Sequence, residues 1–456
     1  MALCTYTERD VCEVCELTNE IRLNNRDRNI LIGENIVKIK LLVGKTCKKV
    51  YDTVNNSNFV SRNKMRKADF TRNRKAGFSD NMMMVLNKTG RGIRAAVRAF
   101  IKVAKEDDVK YSQQAFSKGR MRIKWEAFQE IFKITIDDCY SQYEYQTYKG
   151  YRLLAVDGSK LNLPYHKESL EEFGVQKSSG DQIQALSSCL YDVLNGIVVD
   201  AIIAPCNASE RDLAAAHLIN VEKIKSPDLI LFDRGYPSAK LIDQLENGGF
   251  NYIMRCDDTF VRGMKKYLSG NDCVITYNFK KAKIEKTFRV VRFDINGTQE
   301  ILITNLYDKS FTIDIFKQLY HLRWGIETKY DDIKNKLELE NFSGTTPLAI
   351  KQDFYATLFL NNLASLMILE NREEIERRNA ESGNKYQYKI NVNTVVSELK
   401  ENVIMMLITD SKRQKKKLIK EIYQVISHSV VPVRPNRSFP RTIKHQSVKY
   451  HQNDRA

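Results

Sequence analysis

Residues 152–159 read RLLAVDGS and residues 229–235 read LILFDRG. In each, four apolar residues run unbroken into an aspartate and then a glycine turn, Asp157-Gly158 and Asp233-Arg234-Gly235. An apolar run this short, bounded by turn residues, is the pattern of a strand buried on both faces. Between and after the two runs, strand and helix patterns alternate. QIQALSSCLYD (182–192) and IVVDAIIA (197–204) are predicted as an antiparallel pair across Asn195-Gly196. SERDLAAAHLINVE (209–222) is predicted as a helix capped by Ser209, and YPSAKLIDQLENGG (236–249) as one closed by Gly248-Gly249. NYIMR (251–255) reads as a further short strand. The expected fold class is therefore α/β. Carboxylates at the carboxyl ends of neighbouring strands lie where open α/β sheets place their sites, and two on one rim can grip a divalent metal. Taken singly, Asp157 and Asp233 serve equally as turn or helix caps.

Working outward, residues 256–310 break the alternation with the strand-like runs CVITYNF, TFRVVRFDI and QEILITNLY, the last two meeting at Asn296-Gly297. This reads as a β insertion. Residues 311–340 and 347–379 are predicted as long helical stretches separated by NFSGTTP. The first contains YHLRWGIETKYDDIKNK, in which Tyr320, Arg323, Glu327 and Lys334 stand at offsets 0, 3, 7 and 14. On a regular helix these span an arc of about 60° along about 21 Å, so one face would offer a carboxylate, an aromatic hydroxyl and two cations. An ordinary charged helix surface has the same spacing, but Trp324 and Ile326 beside the row argue for a packed stretch.

The chain has 456 residues with 73 Lys+Arg against 56 Asp+Glu, a formal charge of +17, and its composition excludes collagenous and wholly disordered classes. Such an excess points to a polyanion, nucleic acid or an anionic membrane surface. It is concentrated in SRNKMRKADFTRNRKA (61–76), in SKRQKKKLIK (411–420) and in a Pro-rich basic tail from 431 to 456, expected to be an extended arm. From about 30 to 145 the apolar residues fall at helical spacing; within that region SQQAFSKGR (112–120) has Ser112 at a cap position and suits a DNA-binding helix, with Lys118, Arg120 and Arg122 directed away from the apolar face. No stretch approaches 18 apolar residues, and no signal pattern opens the chain, so a soluble, cytoplasmic protein without a membrane partner is expected. The nine cysteines read as reduced thiols. Cys4, Cys12 and Cys15 lack a nearby histidine and make a poor zinc site. The six histidines are expected at the periphery, and Glu210 and Asp212 as N-terminal helix carboxylates.

The two aspartate boxes, DGS-x-LNLP and FDRGY, together with Tyr-x2-Arg-x3-Glu-x6-Lys, resemble the DDE transposases of the insertion-sequence-four group, relatives of the Tn-five and Tn-ten transposases. The likeness extends over most of residues 60–445. It implies a ribonuclease H-like catalytic core in two parts (150–255 and 311–345) interrupted by the β insertion (256–310). A segment of unassigned role (1–29) and a helical DNA-binding region (30–145) would precede the core, and a helical C-terminal region (346–430) and the basic tail would follow. It further implies that Asp157, Asp233 and Glu327 are catalytic and hold two Mg²⁺ (or Mn²⁺) ions, with Tyr320, Arg323, Lys334 and Trp324 contacting DNA. The implied function is cut-and-paste transposition of an insertion sequence: binding of its terminal inverted repeats, cleavage, and strand transfer to target DNA. The implied species is a homodimer in the synaptic complex, associated with the nucleoid. In one respect the chain departs from the family. An aromatic, commonly tryptophan, is expected in the insertion to hold a flipped base, yet the only tryptophans are Trp125 and Trp324. Two alternatives remain at this point: a metal-dependent nuclease on the same core, and a catalytically inactive DNA-binding regulator.

Overall fold

The computed structural model describes residues 42–87, 92–105, 110–176, 182–295, 297–323 and 325–434. Cys4, Cys12 and Cys15, Trp324 and the tail from 435 lie outside the described residues. The centre of the molecule is a mixed sheet of eight strands in the order β3-β2-β1-β4-β5-β8-β7-β6. They are β1 (Arg152–Asn162), β2 (Gln184–Asp192), β3 (Ile197–Pro205), β4 (Asp228–Phe232), β5 (Asn251–Cys256), β6 (Asp272–Phe279), β7 (Ile284–Ile295) and β8 (Thr298–Thr304). β1, β2 and β3 form an antiparallel meander, while β4 and β5 run parallel to β1. Leu153 to Val156 and Leu229 to Phe232 are all fully buried, as their unbroken apolar character requires.

One polar pair fixes how β1 and β4 align. Arg152, only 1% exposed, donates from Nε and Nη2 to the two carboxylate oxygens of Asp228 at 2.6 and 3.0 Å. This two-pronged contact joins the first residues of the two strands in the register Arg152↔Asp228. A slip of one residue would leave two charges buried without partners, which costs several kcal/mol, on the order of 3 to 5.

The strands of 256–310 do not stand apart from this sheet. β8 pairs antiparallel with β5 from Ile253↔Thr304 to Cys256↔Ile301, and β7 and β6 follow outward. The turn between β7 and β8 carries Gly297 at φ +78, as the Asn-Gly hairpin signal requires. The insertion's aromatics largely pack on one another: Phe279 meets Phe260, Tyr277 and Phe288 at 5.0 to 6.4 Å between ring centres.

Helices cover the sheet. Before it come α1 (Leu42–Val54), α2 (Ser57–Asn63), α3 (Phe78–Leu86), α4 (Ile93–Ala104), α5 (Gln113–Arg120) and α6 (Glu126–Gln142). Within and after it come α7 (Lys167–Phe173), α8 (Glu210–Asn220), α9 (Ala239–Asn247), α10 (Ile313–Leu322), α11 (Gly325–Asp331), α12 (Pro347–Glu381), α13 (Val392–Ile408) and α14 (Lys412–His428). α12 is buried along its first six turns and meets the edge of the sheet with polar groups. The Asn362 amide accepts from Val198 N–H and donates to Val198 C=O, both at 2.9 Å, taking the place of a missing strand. Ser112 caps α5 as expected, accepting from Ala115 N–H at 3.1 Å. Arg120 departs from expectation: it is 2% exposed and bonds Gln352, Ser343 and Asp353, because α12 presents a buried carboxylate opposite it. Lys118 is exposed and Arg122 half-buried. Among the described residues no helix is long and apolar enough to cross a membrane. Of the described cysteines five are buried thiols and Cys273 is half-buried.

Candidate active site

The register set by Arg152 and Asp228 has an offset of 76 residues, and that is also the spacing of the two aspartates. Carried past the last paired residues, Ala155↔Leu231, the same offset brings Asp157, within β1, level with Asp233, the first residue beyond the end of β4. β4 ends at Phe232, whereas β1 continues to Asn162 against β2, so the pair lies on an open rim.

The stretch carrying Tyr320, Arg323, Glu327 and Lys334 is not one regular helix. α10 ends at Leu322, α11 begins at Gly325, and the chain then widens into a π-helical turn, Asp332–Lys336, closed by Leu337 N–H to Asp332 C=O at 3.1 Å. A Cβ on Gly325 would stand 3.1 Å from Val193 Cγ1, so a larger residue there would need Val193 in the β2–β3 connection to give by a few tenths of an ångström. Tyr320, Arg323 and Glu327 therefore meet at one rim, whereas Lys334 does not continue their row. π turns shift the facing of later residues, and Lys334 lies against β1, donating to the Lys160 carbonyl at 2.5 Å. Tyr330 secures the arrangement, its hydroxyl placed 2.9 Å from the Ser187 carbonyl and 3.2 Å from that of Asp157.

At the rim the side chains converge on one cation. Arg323, 2% exposed, donates from Nη2 to Glu327 Oε1 at 2.9 Å, and its charge is the largest favourable influence on both Asp157 and Asp233. Tyr320 donates its hydroxyl to Asp233 Oδ1 at 2.9 Å, with its ring between the guanidinium groups of Arg323 (5.6 Å) and Arg255 (5.9 Å). Tyr320, Arg323 and Lys334 thus all meet protein groups in this structure. The two aspartates are driven apart in acidity. Burial pushes Asp157 up to about 7, and Glu327 and Glu210 add to that against the relief from Arg323 and the Gly158 N–H. Burial also opposes ionisation of Asp233, but Arg323, the Arg234 N–H, Tyr320 and Arg255 outweigh it and hold the carboxyl below the usual range.

Among the described residues no three His, Cys, Asp or Glu side chains stand close enough, as oriented, to hold a metal ion. The Arg323 head occupies the middle of the group. Carboxylate oxygens alone suit a hard divalent cation such as Mg²⁺ or Mn²⁺. The Arg323 Nε and the Tyr236 hydroxyl, both buried, have no hydrogen-bond partner among the described residues. The residue types, though not their present orientation, suit divalent ions.

Other residues at this rim are not evident from motif spacing. Arg255, at the end of β5, links Asp233 (3.8 Å) to Glu300. The Glu210 carboxylate lies over both glycine turns: a Cβ on Gly158 would be 3.0 Å from its Oε1 and one on Gly235 3.9 Å from its Oε2. His217 is fully buried, contrary to the peripheral placement expected of the histidines; its Nε2 is 2.9 Å from Ser188 Oγ and its Nδ1 2.6 Å from Asp200 Oδ2. With Ser188 fully buried as well, this trio ties α8 to β2 and β3 and is not a nucleophilic site. The available signal was the position of His217 three residues after Ala214, on the helix face that packs inward.

Residues 148–363 match the family model described as "Transposase DDE domain". The chain is 22% identical over 352 residues to "Transposase InsG for insertion sequence element IS4" of Escherichia coli (strain K12), covering 74% of this chain and 77% of that protein. A cryo-EM structure of the piggyBac transposase synaptic complex with hairpin DNA aligns at a TM-score of 0.43 and 10% identity, over 91% of this chain and 89% of that one. The matched domain spans both aspartate turns and the Tyr-Arg-Glu-Lys stretch, so the chain is similar, over these residues, to transposase DDE domains, and over a longer stretch to an insertion-sequence-four transposase.

Proposed function

We propose that the protein binds the terminal inverted repeats of its own insertion sequence and moves the element by a cut-and-paste route, with Asp157, Asp233 and Glu327 as the catalytic carboxylates. The observation that supports this reading is that one arginine, Arg323, bonds Glu327 and is the largest favourable charge on both Asp157 and Asp233, whose strands β1 and β4 are paired in parallel. The meander β3-β2-β1 followed by β4 and β5 parallel to β1 supports a ribonuclease H-like core, running from 150 to 255 and completed by 311–345, with 256–310 as its β extension.

The three carboxylates would hold two Mg²⁺ or Mn²⁺ ions, which supply activation of the attacking oxygen and stabilisation of the leaving oxygen in phosphodiester chemistry. The remaining steps belong to the chain's own groups. Burial raises the Asp157 carboxyl to about 7, so it would have to lose its proton to serve as a ligand of such an ion. Tyr320 orients Asp233 through Oδ1. Arg323 neutralises the carboxylates before loading; displaced, its planar fork is suited to a phosphate of the DNA end, with Lys334 alongside. Exposed Arg62, Arg66, Lys67, Arg72, Arg74 and Lys75 on one side, and Lys412, Arg413, Lys416 and Lys417 on α14, supply phosphate-facing charge. Joining two ends in one reaction calls for two protomers, a synaptic homodimer.

The test is to incubate the full-length protein with labelled duplexes of its element's ends and a target plasmid in Mg²⁺. The proposal expects cleaved ends and joined products that EDTA abolishes. Cleavage without joining would reduce the protein to a nuclease, and turnover in EDTA would remove the metal-dependent reading.

A further inference from the structure

We propose that Glu210 is a fourth carboxylate of this centre and a direct ligand of the divalent ion held at Asp157, an inference that rests on the functional reading above. Three observations lead there. First, Glu210 is the residue that reaches both glycine turns. Its two carboxylate oxygens face Gly158 and Gly235, the residues immediately after Asp157 and two after Asp233. The lack of a side chain at Gly158 has a local reason, since a Cβ there would stand 3.0 Å from Oε1 and 3.2 Å from Cδ of Glu210 and press that carboxylate off the rim.

Second, the helix that carries Glu210 is anchored for aim. Glu210 precedes His217 by seven residues, about 20° short of two full turns, so both lie on the side of α8 that faces the sheet. His217 is fixed between Ser188 and Asp200, and Arg211 Nε donates to the Gly235 carbonyl at 2.8 Å, holding the start of the helix to the Asp233 turn. Ser188 is the β2 partner of Gly158 in the sheet register, so the anchor grips the strand pair that carries Asp157.

Third, a buried donor points into the space these carboxylates share. The Tyr236 hydroxyl is on a residue 1% exposed and has no hydrogen-bond partner among the described residues. Its backbone N–H donates to the Asp233 carbonyl at 3.1 Å, so Tyr236 closes the Asp233 turn over which the Glu210 carboxylate lies, and the charges of Asp157, Glu210 and Asp233 oppose ionisation of its hydroxyl. A phenol that could donate to any of three carboxylates yet bonds none is aimed at a group that the protein does not supply, such as an ion's water or a phosphate oxygen. The competing role for Glu210 is that of an ordinary carboxylate in the first turn of a helix, favoured by the helix dipole. Asp212 has that role as well: it is exposed, as Glu210 is, and lies in the same turn, but it reaches neither glycine turn and stands 3.7 Å from Lys240. It is therefore the matched control.

The experiment is a Mn²⁺ titration of the full-length protein without DNA, with free Mn²⁺ read by electron paramagnetic resonance, so that no step depends on activity. Wild type is compared with Glu210→Gln, Asp212→Asn and Asp157→Asn. Removal of a ligand is expected to weaken binding at least about tenfold, the lower end of what even supporting groups of metal sites contribute. The proposal expects that weakening in Glu210→Gln and in Asp157→Asn, with Asp212→Asn within about twofold of wild type. Equal weakening by Glu210→Gln and Asp212→Asn would assign the effect to charge alone and overturn the ligand role. Glu210→Gln binding like wild type while Asp157→Asn loses affinity would overturn it and leave the three-carboxylate site standing. If none of the three changes alters binding, both this inference and the metal-centre reading fail together.

Discussion

Replacing Asp157 with asparagine should stabilise the metal-free protein, and by an amount that depends on pH in a defined way. In the folded chain the Asp157 carboxyl is raised from 3.8 to about 7, chiefly by burial. The folded state therefore binds a proton that the unfolded state has released between those two values, and wild type loses stability as pH rises from 3.8 through about 7. Integrated to pH 8, the loss amounts to about 4 kcal/mol; at pH 5 it has reached less than about 2 kcal/mol. Asparagine keeps the shape and carries no charge to bury, so Asp157→Asn should be more stable than wild type by a few kcal/mol at pH 8 and by clearly less at pH 5. Glu370, a second buried carboxyl pushed up to about 7 and bonded to Tyr143 and Tyr423, titrates in the same window. The difference between variant and wild type removes its contribution. The assay is urea unfolding in EDTA, followed by tryptophan and tyrosine fluorescence, across pH 5 to 8. A difference that is flat with pH, or asparagine less stable at pH 8, would refute the claim that a buried, poorly compensated carboxylate sits at this rim.

Arg323→Ala should lower the melting temperature in EDTA and enlarge the gain that Mn²⁺ gives, because the arginine stands in for the cation among Asp157, Asp233 and Glu327; a Mn²⁺ gain no larger than wild type's, measured by scanning fluorimetry, would contradict this. Arg152→Ala should cost about 3 to 5 kcal/mol in urea unfolding, since it strands Asp228 in the core, whereas Arg152→Met with Asp228→Leu should recover most of that loss. Lys416→Gln with Lys417→Gln should reduce the salt dependence of DNA binding by up to about 0.9 in log-log slope for each phosphate that is no longer neutralised, read by fluorescence anisotropy from 50 to 200 mM salt; an unchanged slope would take α14 off the DNA path.

Much of this architecture can be read from residue order because its signals are local. Apolar runs ending in an aspartate and a glycine turn mark strands closing on a rim, Asn195-Gly196 and the Asn-Gly turn at 296–297 mark hairpins, and Ser112 and Ser209 mark helix starts, with Ser112 accepting from Ala115 N–H and Ser209 from Asp212 N–H. What is hidden depends on long-range pairing. That the strands of 256–310 join the main sheet is decided by four residue pairs between β5 and β8, which no local pattern reveals. Arg120 reads as one basic residue among several until Asp353, 233 positions away, turns it inward. The Tyr-Arg-Glu-Lys spacing marks a shared face only on a regular helix, and the widening at Asp332–Lys336 has no signature in residue type. His217 and Glu210 are separated by two helical turns, and their roles appear once β2 and β3 are folded beneath them.

The central claim is that Asp157, Asp233 and Glu327 form one metal-dependent centre for DNA strand cleavage. It is tested most directly by nicking of an end-labelled duplex in Mg²⁺ by Asp157→Ala, Asp233→Ala and Glu327→Ala, with DNA binding followed beside it by gel shift. Each variant should bind the element's end much as wild type does, because binding rests on phosphate contacts elsewhere, and none should nick it. A variant that nicks at near the wild-type rate would remove that residue from the centre and contradict the account.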